Sequence, residues 1–348
     1  GVQSGNVTLR LKDSFSGGGT VMGVVNADKV EGDVAIELSA PGATYGTFTK
    51  GSPVSLIGAY KGSISGKLHI QINSGTFTHD VMGGVHAGPG SIGSSAIFIN
   101  GGTLRGNVYG GGLNGSVGST SVTMTGGEVH GSIHGGNAGA GAKAPAESRV
   151  VIKGGTVHGD IDGGSELEIV SSGAQLLGKS LSAKKVTLKD VEAGAGEHGI
   201  DRFSGTISGG GKGALQLDGV RVPLLAQVEG FDHVGADNQV STRLASLGGA
   251  KKLSVWGKLT VDDARGLASI CFTGTGSTIT LDAKQLAKGC VIDLGKAETF
   301  TLISTTNVTD KDLDHLRFKQ FGKTYKAKAV KLDAQAESTN IQRGDEVK

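Results

Sequence analysis

Gly127-Glu-Val-His-Gly-Ser-Ile-His-Gly-Gly136 is repeated, with few changes, as Gly155-Thr-Val-His-Gly-Asp-Ile-Asp-Gly-Gly164. Two earlier copies precede them: Gly75-Thr-Phe-Thr-His-Asp-Val-Met-Gly-Gly84 and Gly102-Thr-Leu-Arg-Gly-Asn-Val-Tyr-Gly-Gly111. The four copies begin at 75, 102, 127 and 155, so the steps are 27, 25 and 28 residues. A period of this size marks a stacked-repeat architecture. Within the phrase the third place is apolar (Phe77, Leu104, Val129, Val157), and so is the seventh (Val81, Val108, Ile133, Ile161). The residues between are Gly or polar. That is the alternation of extended chain, not of helix. A second alternating run precedes each copy: Leu68, Ile70 and Ile72; Ile97 and Ile99; Val122 and Met124; Val150 and Ile152. The Gly pairs between the two runs suit tight corners that need positive φ. One repeat is therefore two or three short strands joined by corners, unable to bury its apolar face alone. Stacked at ~4.8 Å per coil, each strand pairs with its copies above and below, as in a parallel sheet.

Composition fits this reading. Of 348 residues 62 are Gly and only 5 are Pro, so corners are plentiful and a proline-rich linker is excluded. Aromatics are 4%, few for an enzyme with a sugar or nucleotide cleft. The net charge is +2 with acids and bases intermixed, which gives no field for nucleic acid. No apolar run reaches the ~18 residues of a membrane span. The chain opens on Gly1 without Met, as expected of a mature or trimmed chain, from which any signal peptide would already be gone.

Taken in order, 1–66 reads as degenerate coils or a cap, with Val7, Leu9 and Leu11, then Val34, Ile36 and Leu38, alternating. Residues 67–165 hold the regular coils. Their Gly-rich segments Val85–Ser95, Gly112–Ser121 and Asn137–Ser148 are expected as loops on one edge of the stack. Residues 166–306 continue as degenerate coils, with 224–250 expected to leave the stack. In 307–348, Thr309 is expected to cap a short helix from Asp310 to about Lys319, with Asp early and Lys and Arg late as the helix dipole prefers. Tyr325–Leu332 alternates and is expected to form a closing hairpin with 337–342.

Ser277-Thr-Ile-Thr-Leu-Asp282, Gly289-Cys-Val-Ile-Asp-Leu294, Phe300-Thr-Leu-Ile-Ser304 and the strands from Tyr325 onward resemble the C-terminal part of a bacterial autotransporter passenger. With the Gly-Gly-Thr coils, the resemblance covers most of the chain and extends to the right-handed parallel β-helix of the pectin-lyase-like type. It implies an all-β, right-handed parallel β-helix solenoid, export to the bacterial cell surface, and an outer-membrane β-barrel downstream, which this chain does not contain. The six-residue period of a left-handed helix is absent, and so is a tandem array of the calcium-binding nonapeptide.

If even places of the phrase face outward, stacking builds three columns. They are Thr78, Arg105, His130, His158; then Asp80, Asn107, Ser132, Asp160; then Met82, Tyr109, His134, Asp162. His130 would then neighbour His158, and His134 would neighbour Asp162. Imidazole and carboxylate at that spacing suit a transition metal or a shared proton, so His130, His134, His158 and Asp162 are a candidate metal patch; the alternative is a solvated outer face. Asp160 and Asp162, with Glu128 nearby, are the candidate carboxylates of a glycan-cleaving site. Arg105, Tyr109, His130, His134, His158 and Asp162 are the candidate binding face. Cys271 and Cys290, 19 residues apart, are candidates for a disulfide between successive coils; the alternative is two buried free thiols. Gly209-Gly-Gly-Lys-Gly213 imitates a phosphate loop, but no Ser or Thr follows the Lys. Neither Gly-x-Ser-x-Gly nor His-Glu-x-x-His occurs, and the sequons at Asn6, Asn114 and Asn307 carry little meaning in a bacterial chain.

The expected function is that of a non-enzymatic adhesin or interaction module without a cofactor. Its expected partner is a host or cell-surface glycoprotein or glycan, or a second copy of itself. A glycan lyase or hydrolase and a passive stalk are the alternatives.

Overall fold

The structure is a computed structural model that describes residues 1–13, 19–25, 29–46, 54–170, 173–194, 196–331, 333 and 335–348. The chain divides into two compact units, 1–183 with 195–199 and 184–194 with 200–348. The division at 183/184 falls inside the segment 166–306 read from the sequence.

The first unit is a parallel β-helix of three strand runs. The first run stacks Val7–Leu11, Val34–Leu38, Ser63–Ile72, Ser91–Ile99, Asn114–Met124, Glu147–Ile152 and Glu166–Val170, all parallel. The second stacks Thr44–Tyr45, Thr76–Phe77, Thr103–Leu104, Glu128–Val129, Gly155–Val157 and Ala174–Leu176. The third stacks Val21–Val24, Val54–Ala59, Asp80–Val85, Val108–Tyr109, Ile133–His134, Ile161–Asp162 and Ser180–Ser182. The phrase thus supplies the second and third runs, and the alternating stretch before it supplies the first.

Register turns alternation into apolar columns. Ile36, Ile70, Ile97, Val122, Val150 and Leu167 lie one above another in the first run, all buried. Tyr45, Phe77, Leu104, Val129, Val157 and Leu176 do the same in the second. Each such side chain gains roughly 1.5–3 kcal/mol from burial. The first Gly of each phrase sits at φ +101°, +83°, +81° and +84°, a corner that an L side chain resists. The ninth is Gly for a different reason: a Cβ on Gly83, Gly110 or Gly135 would lie 2.5, 2.3 or 2.6 Å from the carbonyl oxygen of the next coil's Gly.

Two expectations for these coils are corrected. Val85–Ser95 and Gly112–Ser121 are more strand than loop, whereas Asn137–Ser148 is strand only at Gly141–Lys143 and from Glu147 onward. Ile92 pairs with Val117, and Asn114, Gly115 and Ser116 pair with Gly141, Ala142 and Lys143. Their Gly and Ser content reads as loop, yet ladder hydrogen bonds need only backbone. Nor does the third outward column stay outside along its length. Met82 is 3% exposed and packs with Val54 and Ile57 under Leu113, Ala138 and Tyr109, so the Gly-rich segments add a second apolar layer there.

The second unit is a β-helix with a closing cap. Val186, Leu215, Val234, Leu253, Ile270, Ile292 and Phe318 form one buried column through seven parallel strands. Residues 224–250 do not leave the stack. Gln227–Ser246 is a strand paired in parallel on both sides, and a bulge at Asn238 and Gln239, both at positive φ, breaks the alternation that would have revealed it. The expected C-terminal helix is also absent. The Thr309 N–H and Oγ1–H both donate to Asp312 Oδ2, and Leu313 N–H reaches back to the Thr309 carbonyl, but only turns follow. Arg317–Gln320 is claimed by parallel pairing with Val291–Asp293, which leaves too few residues to pass the helix nucleation cost. The closing hairpin is present: Lys323–Lys331 pairs antiparallel with Arg317–Gln320 and with Thr339–Glu346. Leu332 lies outside the described residues.

Candidate functional site

All three columns of the phrase exist. Backbone N–H groups of Arg105, His130 and His158 donate to the carbonyls of Phe77, Leu104 and Val129 one coil away, so the first column is set by the ladder. The His130 and His158 rings stack at 4.6 Å between centroids with planes 4° apart. In the third column Tyr109 and His134 stack at 4.9 Å and 8°, and His134 is in register with Asp162. The predicted quartet of His130, His134, His158 and Asp162 is therefore split between two columns. His130 and His158 are together, while His134 joins Tyr109.

The partner that the imidazole pair does have is Glu128. His158 Nε2–H donates to Glu128 Oε1 at 2.8 Å, and His130 Nε2 lies 3.4 Å from the same oxygen. The bond from His158 is the main influence holding the Glu128 carboxyl below the usual carboxylate range; partial burial opposes it, and the charges of both imidazoles add to it. All three side chains are one-third to one-half exposed. The sequence pattern presents Glu128 only as a neighbour of the aspartates. Its signal was legible, because it stands at the second place of the phrase, two residues before His130, and alternation puts both on one side.

The second column is a ladder that serves the backbone. Asp80 Oδ1 accepts from Asn107 N–H, Asn107 Oδ1 from Ser132 N–H, and Ser132 Oγ from Asp160 N–H. Asp160 Oδ1 then accepts from both Lys179 and Ser180 N–H, at 2.7 and 2.9 Å. Asp162 Oδ1 accepts from Gly164 N–H. Both carboxylates named for glycan cleavage thus hold backbone corners.

Beside Tyr109 lies a shallow groove of about 360 Å³ lined by Thr78, His79, Asp80, Gly106, Leu113 and others. Burial pushes the Tyr109 phenol up, the charge of Asp80 adds to this, and a hydrogen bond with Asn107 opposes it. Arg105 is exposed at the neighbouring column. Of the groove residues, Thr78, Asp80 and Tyr109 belong to the columns read from the sequence, whereas Leu113 and His79 enter from outside them.

The two cysteines are free thiols. Cys271 pairs in register with Ser254 and Asp293, so the steps on either side of it are 17 and 22 residues, and the residue above it is Asp293 and not Cys290. Cys290 lies in the core, and burial pushes its thiol up to about 12. Of the two alternatives, the free thiols hold and the disulfide is not formed, although only Cys290 is fully buried. Comparison with family models, curated proteins and solved structures finds no match for this chain.

Proposed function

We propose that the chain is an exported surface interaction module, an adhesin-like β-helix that grips an extended glycan or glycoprotein along its outward columns. The observation that carries this reading is the alignment of Arg105, His130 and His158 with a parallel row of Tyr109 and His134, each set at the spacing of successive coils. Such rows offer stacked ring edges, a guanidinium and hydrogen-bonding groups at regular intervals, which suits a repeating ligand. Affinity then accumulates from many modest contacts around a few aromatic and Arg anchors. The use of Asp160 by two backbone N–H groups favours binding over glycan cleavage, since a carboxylate that holds a corner is not free to move a proton. Export and surface display rest on the resemblance to autotransporter passengers. Among the described residues no helix is long and apolar enough to cross a membrane, a statement that leaves strand-built barrels open.

The test is one incubation of the purified chain with a panel of mucins and polysaccharides, reading retained protein and newly released reducing ends. Retention without release is expected. Arg105→Ala, Tyr109→Ala and His134→Ala should each weaken retention by about 1–2 kcal/mol, the range of interface anchors. Release of reducing ends would replace this reading with an enzyme. Neither signal would point to self-association or a stalk.

A further inference from the structure

Glu128, His130 and His158 are the one group of three or more His, Cys, Asp or Glu side chains among the described residues whose ligand atoms all lie within 4.8 Å of one another. We propose that these three side chains form a Zn²⁺ site whose remaining coordination positions face solvent. Tetrahedral zinc with bonds of about 2.0–2.1 Å places its ligand atoms roughly 3.3 Å apart. The distances from Glu128 Oε1 to the two Nε2 atoms, 2.8 and 3.4 Å, bracket that value. Two imidazoles and a carboxylate are a donor set that suits zinc and leaves a fourth position for water or a ligand atom.

The scaffold holds the donors in place. Glu128, in the short strand Glu128–Val129, and His130, just after it, flank the buried Val129, and His158 is carried one coil on by the bond from its N–H to the Val129 carbonyl. Parallel rings aim their lone pairs side by side rather than at one point. Zinc binding therefore needs the rings to tilt open about χ2, a small motion for side chains this exposed. The metal takes the place of the proton that His158 Nε2 now donates to Glu128, and that proton passes to solvent. Arg105, one coil back in the same column, is exposed, so water screens its charge from the site. The proposal does not depend on the adhesin reading, because it concerns a bare ion.

The experiment uses the whole chain, freed of any purification tag and stripped with chelator, titrated with Zn²⁺ against a chromophoric chelator. One ion per chain is expected, with a rise in the thermal midpoint when zinc is present. Glu128→Gln, His130→Ala and His158→Ala should each lower affinity about tenfold or more, the scale on which even the outer partners of metal ligands act. His134→Ala should leave it unchanged. Far-UV spectra of the variants establish that each is folded. Absence of zinc uptake by the wild type, uptake unaffected in the three variants, or an equal loss in His134→Ala would each overturn the site. Retention on glycans, measured without metal, separates failure here from failure of the adhesin reading.

Discussion

At the scale of single residues, one turn and the two cysteines carry predictions. Phe321 and Gly322 form the two-residue turn between Arg317–Gln320 and Lys323–Lys331, at φ +49° and +76°. Such a turn favours Asn-Gly, because a left-handed conformation costs an ordinary L residue about 1–2 kcal/mol. Phe321 is 78% exposed and so recovers little of that by burial. Phe321→Asn should therefore stabilise the protein by about 1 kcal/mol, read as a higher urea midpoint with unchanged slope; a lower midpoint would mean that the ring has a partner worth more than the strain. The cysteines are the second case. The Cys290 thiol, pushed up to about 12, is almost wholly protonated at pH 7 and is buried, and the thiolate is the reactive form. Cys271 is raised as well, first by burial and then by Asp293 and Asp237. Native protein should react with a thiol reagent slowly at Cys271 and not at Cys290, whereas denatured protein without reductant should titrate two thiols. Zero thiols in denaturant would restore the disulfide. The spacing of 19 suggested a pair only because the coil length was assumed constant; Cys271 to Asp293 shows how far it drifts.

At the scale of strands and corners, the ladder Asp80, Asn107, Ser132, Asp160 is a device for turning the chain with side-chain oxygen as acceptor. Asp160→Ala leaves the Lys179 and Ser180 N–H groups to water and should cost about 1–2 kcal/mol, whereas Asp160→Asn keeps an acceptor and should cost less. Equal losses in thermal or urea unfolding would show that charge, not the acceptor, matters there. Gly135→Ala probes the opposite constraint. Its Cβ would meet the Gly163 carbonyl oxygen at 2.6 Å, so coils must part, at a cost of roughly 1–3 kcal/mol or more. A neutral result would mean that the coils slide apart without penalty. The outward columns were legible in the sequence because a period of two and a near-constant step both act on the phrase. Burial of Met82 was not legible, because its cover, Leu113 and Ala138, comes from Gly-rich segments whose composition signals loop. The strand Gln227–Ser246 was hidden for a local reason: Asn238 and Gln239 invert φ and shift which residues face the core.

At the scale of the whole molecule, a parallel stack that ended in an unpaired strand edge would invite another chain. In the second unit the answer is the antiparallel cap. Thr339–Glu346 lies against Phe300–Ser304, with Ser304 opposite Thr339 and Ile303 opposite Asn340, and Ile341 is fully buried. The other arm, Lys323–Lys331, is paired with Arg317–Gln320 and with Thr339–Glu346, and carries exposed Lys323, Lys326, Lys328 and Lys331. That such a hairpin closes the stack was readable from the alternation after Tyr325, while the expected helix before it gave way to pairing with Val291–Asp293. Removing residues 323–348 uncovers the backbone edges of Arg317–Gln320 and Phe300–Ser304 and the apolar groups beneath. The truncated chain should keep its far-UV β signal yet show a sedimentation coefficient that climbs with concentration, whereas the full chain stays constant under the same conditions. Ile341→Lys, which keeps every residue but drives a charge into the buried site, should move the same way, since an unpaired buried charge is expelled and takes the strand with it. If both variants sediment as the full chain does, the cap is not what guards the edge, and Phe300–Ser304 must be protected by its own irregularity.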